Sequence, residues 1–258
     1  MLDVEKINAP ADFLYMPQAT SSMDLALDLA QQGQPHLTAL YVEELKLARG
    51  RRGRTWHHVA GCNLALTLIL RENTGEHLPL VVALALYQAV SEVIPRAATT
   101  HLAVKWPNDV LWYGKKLAGV LVEKHGDVYV VGIGMNIKQP PAQVRAGLNK
   151  DFSGIWLEQN ATGQKQFEIE REDVVNAFFT ALTSQLALYG AQGWNGIVQA
   201  YTSACSTIGQ QVYWQTPQEE IAGTARGLTP TGALDILTTH GVVHTIRAGD
   251  IIKQGISR

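Results

Sequence analysis

Residues 101–137 read HLAVKWPNDVLWYGKKLAGVLVEKHGDVYVVGIGMNI. Four short runs rich in Val, Leu and Ile, His101–Trp106, Asn108–Tyr113, Lys116–Glu123 and Val128–Ile137, are divided by Trp106-Pro107, Tyr113-Gly114 and His125-Gly126-Asp127. Runs of strand length between turn pairs predict a strand meander. Upstream, Asn63–Leu70 (NLALTLIL) is a continuous apolar run, as expected for a strand buried on both faces. Leu78–Ile94 has helical length and stops at Pro95. Ser22–Gly33 reads as a helix with a Ser N-cap, Asp24 in its first turn and Gly33 at its stop, and Leu37–Glu43 reads as a strand. Past the meander, Lys138–Leu157 is polar and loop-like. Glu170–Tyr189 predicts a long helix with an acidic first turn, ended by Gly190, and Trp194–Thr202 a shorter one. From Ile208 the runs Gln211–Trp214, Glu220–Arg226, Ala233–Leu237 and Val242–Ile246 alternate with Thr216-Pro217, Pro230-Thr231-Gly232 and His240-Gly241. They predict a small five-stranded β-barrel or sheet. The expected class is α+β: an α+β domain over residues 1–205, then a small β domain over 206–258.

The 258 residues are 46% hydrophobic and 17% charged, enough to bury a core. Their net charge of −2 hides an asymmetry. Lys46–Arg54 (KLARGRRGR) holds five basic and no acidic residues, which leaves 16 basic against 23 acidic residues elsewhere. Concentrated basicity in an acidic chain implies a local anion site and opposes indiscriminate polyanion binding. Two cysteines build no disulfide framework or metal motif, and the eight histidines lack metal-ligand spacing. The N-terminus lacks a basic segment followed by an apolar core, and the apolar run Leu78–Val90 is too short to cross a bilayer. A cytoplasmic protein with no membrane segment is expected.

Four segments carry chemistry. Ala48–Trp56 (ARGRRGRTW) follows a predicted strand. Four of its seven central residues are Arg (Arg49, Arg51, Arg52 and Arg54), whose guanidinium forks match phosphate and keep their charge. Gly50 and Gly53 let the backbone approach an anion, and Trp56 is available to stack on a base. The plain alternative is a solvated charge run. Lys105-Trp-Pro-Asn-Asp109 places a cation and a carboxylate together at a sheet rim. Lys115–Glu123 starts a strand with two lysines and offers Gly119 as a side-chain-free point for a ligand; an ordinary hairpin end is the alternative for these lysines. Val131–Asn136 (VGIGMN) lacks the helix and third glycine of a dinucleotide fingerprint. Its glycines are expected to clear room for a planar ligand, with Asn136 offering hydrogen bonds.

In this order the segments resemble the biotin–protein ligase family, of the single-function kind. The resemblance rests on Ser21-Ser22-Met23, Arg49–Trp56, Lys105–Asp109, Lys116–Gly119 and Gly132–Asn136, with Gly227–Leu234 (GLTPTGAL) similar to that family's small domain. It implies a mixed β-sheet catalytic domain flanked by helices, class II synthetase-like, and a small C-terminal SH3-like β-barrel. The implied activity adenylates biotin with ATP and Mg²⁺, then acylates a lysine of a biotin carboxyl carrier protein such as an acetyl-CoA carboxylase subunit. Lys116, Arg51, Lys105 and Asp109 are then expected to be catalytic. Ser21, Ser22, Met23, Leu45, Arg49 and Gly119 would line the biotin site. Arg49, Arg51, Arg54, Trp56, Lys105, Asn108 and Asn136 would face the nucleotide, with Trp56 on the adenine. No residues are expected to ligate metal directly, so Mg²⁺ arrives with ATP. About 20 residues precede Ser21, so no DNA-binding domain is expected, and an edge-strand homodimer is left open.

The chain departs from the family pattern at three points. Glu44-Leu-Lys-Leu-Ala48 stands where the family has Glu-Gln-Thr-Ala-Gly, so Leu45 replaces the Gln that hydrogen-bonds the ureido head. Met23 replaces the usual Asn, and Thr229 stands where the small domain often has Asp. A buried ureido group short of one partner is expected to lose about 10–100-fold in affinity. Leu45 keeps a lipoate-type or other acyl-cofactor ligase open as an alternative. A non-catalytic regulator that binds biotinyl adenylate is another, opposed by the retained lysines and Asp109. Nucleic-acid binding through the Arg loop is a third, opposed by the acidic remainder.

Overall fold

A computed structural model describes residues 2–71, 74–138, 140–145, 169–216 and 219–253. A seven-stranded sheet has the order β1-β2-β3-β7-β6-β5-β4. Its strands are β1 (Phe13–Ala19), β2 (Ala39–Leu45), β3 (Asn63–Leu70), β4 (Leu102–Lys105), β5 (Asp109–Trp112), β6 (Lys115–His125) and β7 (Val128–Asn136). β1 and β2 run parallel around α1 (Ser22–Gln31), and the remaining pairings are antiparallel. The sheet is therefore mixed, as the family resemblance implies.

β3 is buried at all eight positions because both faces of the sheet are covered. On one face Leu64, Leu66, Leu68 and Leu70 join Tyr129, Val131, Ile133 and Met135 of β7 against α2 (Leu78–Val93) and α4 (Arg171–Gln192). On the other, Ile69, Val128 and Val130 meet Met23, Ala26 and Ala30 of α1. By length and composition α4 would pass for a membrane span. Its Val174, Val175, Phe178, Phe179, Leu182 and Leu186 instead fill the interior beside α2.

Several boundaries differ from the sequence reading, each for a local reason. Ser21 rather than Ser22 caps α1, accepting from the Asp24 N–H at 3.2 Å, and Gly33 takes the left-handed conformation just past its end. α4 runs through Gly190 to Gln192; the break falls at Gly193 (φ +61), which turns the chain into α5 (Trp194–Ala204). His101 closes a 3-10 run from Arg96 rather than opening β4. The strand Phe13–Ala19 escapes the sequence reading because Pro17 interrupts it; a proline is tolerated there because β1 is an edge strand. Within the polar stretch Lys138–Leu157 a single turn, α3 (Ala142–Arg145), is described, while most of that stretch and Pro217 lie outside the described residues.

A second sheet, order β11-β10-β9-β8-β12, comprises β8 (Gln211–Gln215), β9 (Glu220–Leu228), β10 (Leu234–Leu237), β11 (Val243–Ile246) and β12 (Asp250–Lys253). The five strands match the expected number, although β12 carried no run of its own in the sequence reading. The chain enters this sheet along the edge of the first one, where Cys205 bridges Val104 and the Ser206 N–H donates to Val104 O.

One buried polar network fastens α4 to β2. Arg171, 5% exposed, donates to Glu43 Oε1 at 2.9 Å and to the Tyr41 hydroxyl at 2.6 Å. Glu43 also accepts from the Gly61 and Leu2 N–H groups. Burial works against the Glu43 carboxylate, but Arg171 outweighs it and holds the group below the usual carboxylate range. The pair therefore stabilises the fold above the ordinary Glu value of about 4.3, and that contribution is lost as pH falls through the lowered value. Arg171→Met should cost about 3 kcal/mol at pH 7, the low end for a broken buried pair because Glu43 keeps 15% exposure. Urea unfolding of the variant and wild type at pH 7 and below pH 4 checks this, with the difference shrinking at the lower pH.

Candidate active site

The sheet register builds a hollow. Ala65 on β3 pairs with Gly134 on β7, Gly134 with Gly119 on β6, Gly119 with Asp109 on β5, and Asp109 with Lys105 on β4. Cross-strand partners share a face. The neighbours Leu64, Met135, Ala118, Val110 and Val104 point into the large core, so this row lies on the opposite face. Two of its five members have no side chain, and two carry charge.

The hollow is roofed by side chains from elsewhere. A Cβ at position 134 would collide with the Trp56 indole, and one at 119 would lie 2.9 Å from Lys116 Cε and Nζ. Lys116 Nζ pairs with Asp109 Oδ1 at 2.8 Å and stands 5.6 Å from the centre of the Trp56 ring. In the adjacent row Thr67, Gly132 and Leu121 are partners, and a Cβ at 132 would meet Met23 Sδ at 2.6 Å. The two β7 glycines therefore clear room for Trp56 and Met23, a correction to the expectation that they make way for a planar ligand directly. The Trp56 Nε1–H is buried without a hydrogen-bond partner among the described residues, a donor that suits a bound acceptor.

The Arg segment is a pinched hairpin. Arg49 bridges Thr55, Trp56 N–H donates to Ala48 O at 2.9 Å, and Gly50 N–H donates to Arg54 O at 2.7 Å. The tip uses left-handed backbone at Arg52 (φ +57) and Gly53 (φ +72). Its arginines point to different places. Arg49 forks onto Asp24 of α1 at 2.6 and 3.2 Å, with Glu123 at 3.6 Å. Arg51 donates to Asn108 Oδ1, while Arg52 and Arg54 are exposed.

Arg51 also lines a cleft of about 310 Å³. It opens along the edge of β6 past Gly119, beyond the start of β5 at Asp109, and its other walls are Glu76, Pro79 and Leu80, residues 106–108, and residues 231–233 and 247–248 between strands of the small sheet. Asn108 closes the β6 edge by donating to Val120 O, and Trp106 Nε1 donates to Gly232 O at 2.9 Å. Among the described residues no three His, Cys, Asp or Glu side chains converge as a metal cage.

The expected site residues thus fall into three groups. Lys105, Asp109, Lys116, Gly119 and Trp56 share the hollow, with Ser22 and Met23 beside it. Arg51 and Asn108 meet at the cleft. Asn136 is set apart: it is 2% exposed and accepts from Asn63 Nδ2 at 2.5 Å. Ser21 is occupied as the α1 cap, and Leu45 packs at the end of β2 against the cluster that contains Met23. The sequence reading missed Asp24, Glu123, Asn63 and Thr67. Asn63 and Thr67 had a signal, being polar residues in an apolar, fully buried strand, where each needs a partner.

Residues 16–139 match the biotin/lipoate A/B protein ligase family, and residues 207–254 match the biotin protein ligase C-terminal domain. The biotin–[acetyl-CoA-carboxylase] ligase of Paracoccus denitrificans is 36% identical over 197 residues, covering 72% of this chain and 78% of that protein. The chain belongs to the biotin protein ligase family. The bifunctional ligase/repressor BirA of Bacillus subtilis is 27% identical over 238 residues, 89% of this chain and 70% of that protein. A biotin protein ligase from Aquifex aeolicus, solved in complex with biotin and ATP, superposes with a TM-score of 0.76 at 25% identity, covering 94% of this chain and 98% of that one. The Leishmania major biotin protein ligase in complex with biotinyl-5-AMP superposes at 0.65 with 25% identity, over 93% of this chain and 100% of that one. The biotin protein ligase fold therefore spans both sheets of the chain.

The Arg49 hydrogen bond holds the Asp24 carboxyl below its ordinary value, so this latch is present above that value and released as pH falls. Both side chains are about half exposed, which limits the pair to less than about 1 kcal/mol. Asp24→Asn should speed tryptic cleavage within residues 49–54 by up to about fivefold at pH 7. A cleavage rate equal to wild type would mean that backbone pairing alone holds the hairpin.

Proposed function

We propose that this chain adenylates biotin with ATP and transfers the biotinyl group to a lysine of a carboxyl carrier protein. The observation that carries the reading is the Lys116–Asp109 pair over Gly119, in the family's own motif order, with Lys105 in the adjoining register position. Biotin presents a carboxylate and ATP a polyanion, so bringing them together costs repulsion that cations must offset. Lys116 and Lys105 meet the carboxylate and α-phosphate over the hollow, and Arg51 meets phosphate at the mouth of the cleft with Asn108. Held in line, the carboxylate oxygen attacks the α-phosphorus and pyrophosphate leaves, forming biotinyl adenylate. Trp56 and the Arg hairpin keep water from that anhydride, with Arg54 and Arg49 at its rim. In the second step Asp109 orients the acceptor amine or takes its proton, the amine attacks the carbonyl carbon, and AMP leaves. Mg²⁺ bound to ATP would supply further phosphate neutralisation.

The same reading divides the chain near residue 205 into a catalytic unit and an SH3-like unit, and places the protein in the cytoplasm, where acetyl-CoA carboxylase or a similar enzyme supplies the carrier. Biotin's head lies toward Ser22, Met23 and Leu45.

Incubation with labelled biotin, Mg-ATP and an apo carrier domain should label the carrier lysine. With preformed biotinyl adenylate, Asp109→Asn should slow transfer by about 10²–10⁴-fold. Lys116→Met should slow adenylate formation, read by ATP–pyrophosphate exchange, by about 10²–10³-fold. An unlabelled carrier with active control components would sink the reading, and an Asp109→Asn rate equal to wild type would remove Asp109 from the second step.

A further inference from the structure

Beside the glycine row lies a polar pair in an otherwise apolar wall. Thr67 stands in the middle of β3, 1% exposed, and Ser22 in the first turn of α1, 8% exposed. The Thr67 hydroxyl donates to Ser22 Oγ at 2.8 Å. The direction of that bond matters. It occupies the Ser22 oxygen as an acceptor and leaves the Ser22 hydrogen with no acceptor among the described residues. A buried hydroxyl donor left unpaired is costly, by the same argument that makes such groups rare in folded proteins. Thr67 is the cross-strand partner of Gly132, one row from the Gly134–Gly119 row that carries Trp56 and Lys116. Met23 and Leu121 crowd its partner Gly132 and Leu40 faces it across β2, none of which offers a side-chain hydrogen bond.

We infer that Thr67 is a positioning residue that holds the Ser22 hydroxyl as a donor to a hydrogen-bond acceptor on the head of the acyl substrate, and so selects a ureido carbonyl over a dithiolane ring. The inference rests on the reading that biotin occupies the hollow. The chain Thr67 O–H to Ser22 O–H to acceptor polarises each link in turn, so the terminal donor is stronger and more fixed than a lone serine. A dithiolane head has no oxygen acceptor and gains nothing from this arrangement. With Met23 apolar, the relayed donor supplies the polar discrimination that its side chain lacks.

The test uses the full chain with Mg-ATP and biotin in pyrophosphate exchange. Thr67→Val should raise the KM for biotin about tenfold, while kcat at saturating biotin and the KM for ATP stay within twofold. Thr67→Ser, which keeps the hydroxyl, should restore the wild-type KM. Thr67→Cys, a weaker donor of similar shape, should fall between them. Ser22→Ala should raise the biotin KM comparably, and the double variant Ser22→Ala/Thr67→Val should be no worse than either alone. With lipoate as the probe, the wild type should show the higher KM, and Thr67→Val should leave it unchanged. A Thr67–Ser22 bond that merely fastened α1 to the sheet would not move KM selectively. Biotin KM values equal to wild type in both the Val and Cys variants overturn the inference. A wild type inactive with biotin but active with lipoate overturns both this inference and the biotin reading, whereas a biotin-active wild type with an insensitive Thr67 overturns this inference alone.

Discussion

The register of β7 between β3 and β6 is the constraint on which the site depends. Gly134 faces Ala65 on one side and Gly119 on the other, so three adjacent strands present almost no side chain along one line. Side chains alternate with a period of two, so slipping β7 by one residue would carry Gly134 to the large core and Met135 or Ile133 to the site face. Both outcomes fail: the core would lose a filled position and the hollow would be plugged. The leucines of β3 and the alternate residues of β7 enforce one register because their burial leaves no tolerable alternative. The hollow is thus a by-product of core packing on the far side of the same strands.

That hollow concentrates charge without stranding it. Lys105 and Asp109 stand where the β4–β5 pairing ends, and Lys116 reaches Asp109 from further along β6, so the charged ends keep partial contact with water while the backbones are fixed by the ladder. A cation placed one strand inward would meet Gly134 and the Trp56 ring and pay a much larger desolvation cost. The Arg hairpin follows the same rule. Its leading arginine is neutralised by Asp24 and Glu123, its second is braced on Asn108, and its exposed members remain solvated. Five positive charges in nine residues are tolerated because Arg49 and Arg51 are held at separate places and Lys46, Arg52 and Arg54 are exposed.

What was legible in the sequence follows from how local each signal is. β3, α2 and the meander were readable because length, apolar content and turn residues lie within a dozen positions of one another. The motifs placed Lys105, Asp109, Lys116 and Gly119 in one neighbourhood; the structure joins Lys105, Asp109 and Gly119 in one cross-strand row, and the Lys116 side chain reaches Asp109 over it. Other facts are set by partners far along the chain. Gly190 looked like a helix stop because nothing nearby reveals that α4 continues against α2. Asn136 takes a hydrogen bond from Asn63, a partner 73 positions away that no local pattern announces. The glycines of β7 looked like ligand clearance because Met23 and Trp56 reach them from the other end of the catalytic sheet's sequence. In each case the tertiary neighbour, rather than the residue's own chemistry, decided its use.

The two sheets are coupled at a mechanically informative place. Trp106 immediately precedes the turn that carries Asn108 and Asp109, and its indole is 2% exposed with Nε1–H donating to Gly232 O. His77 approaches the same turn of the small sheet, 3.0 Å from Pro230 O, and stacks on Trp194 with ring centroids 4.6 Å apart. Gly232 sits there at φ +77, where a Cβ would press on His77 and Leu80 at 3.2 and 3.3 Å. A side chain at 232 is therefore opposed twice, by backbone conformation and by crowding. The small sheet offers this turn as two carbonyls held by a compact hydrogen-bonded loop at Thr229, where the hydroxyl accepts from the Thr231 and Ala233 N–H groups. Thr229 supplies the acceptor that an Asp would supply at this position, so the departure from the family pattern leaves the turn intact. Displacing the turn would release the Trp106 indole, and with it the segment that fixes Asn108 against β6 and Arg51. The small sheet thus acts on the site through the backbone it braces as well as through the cleft wall it contributes.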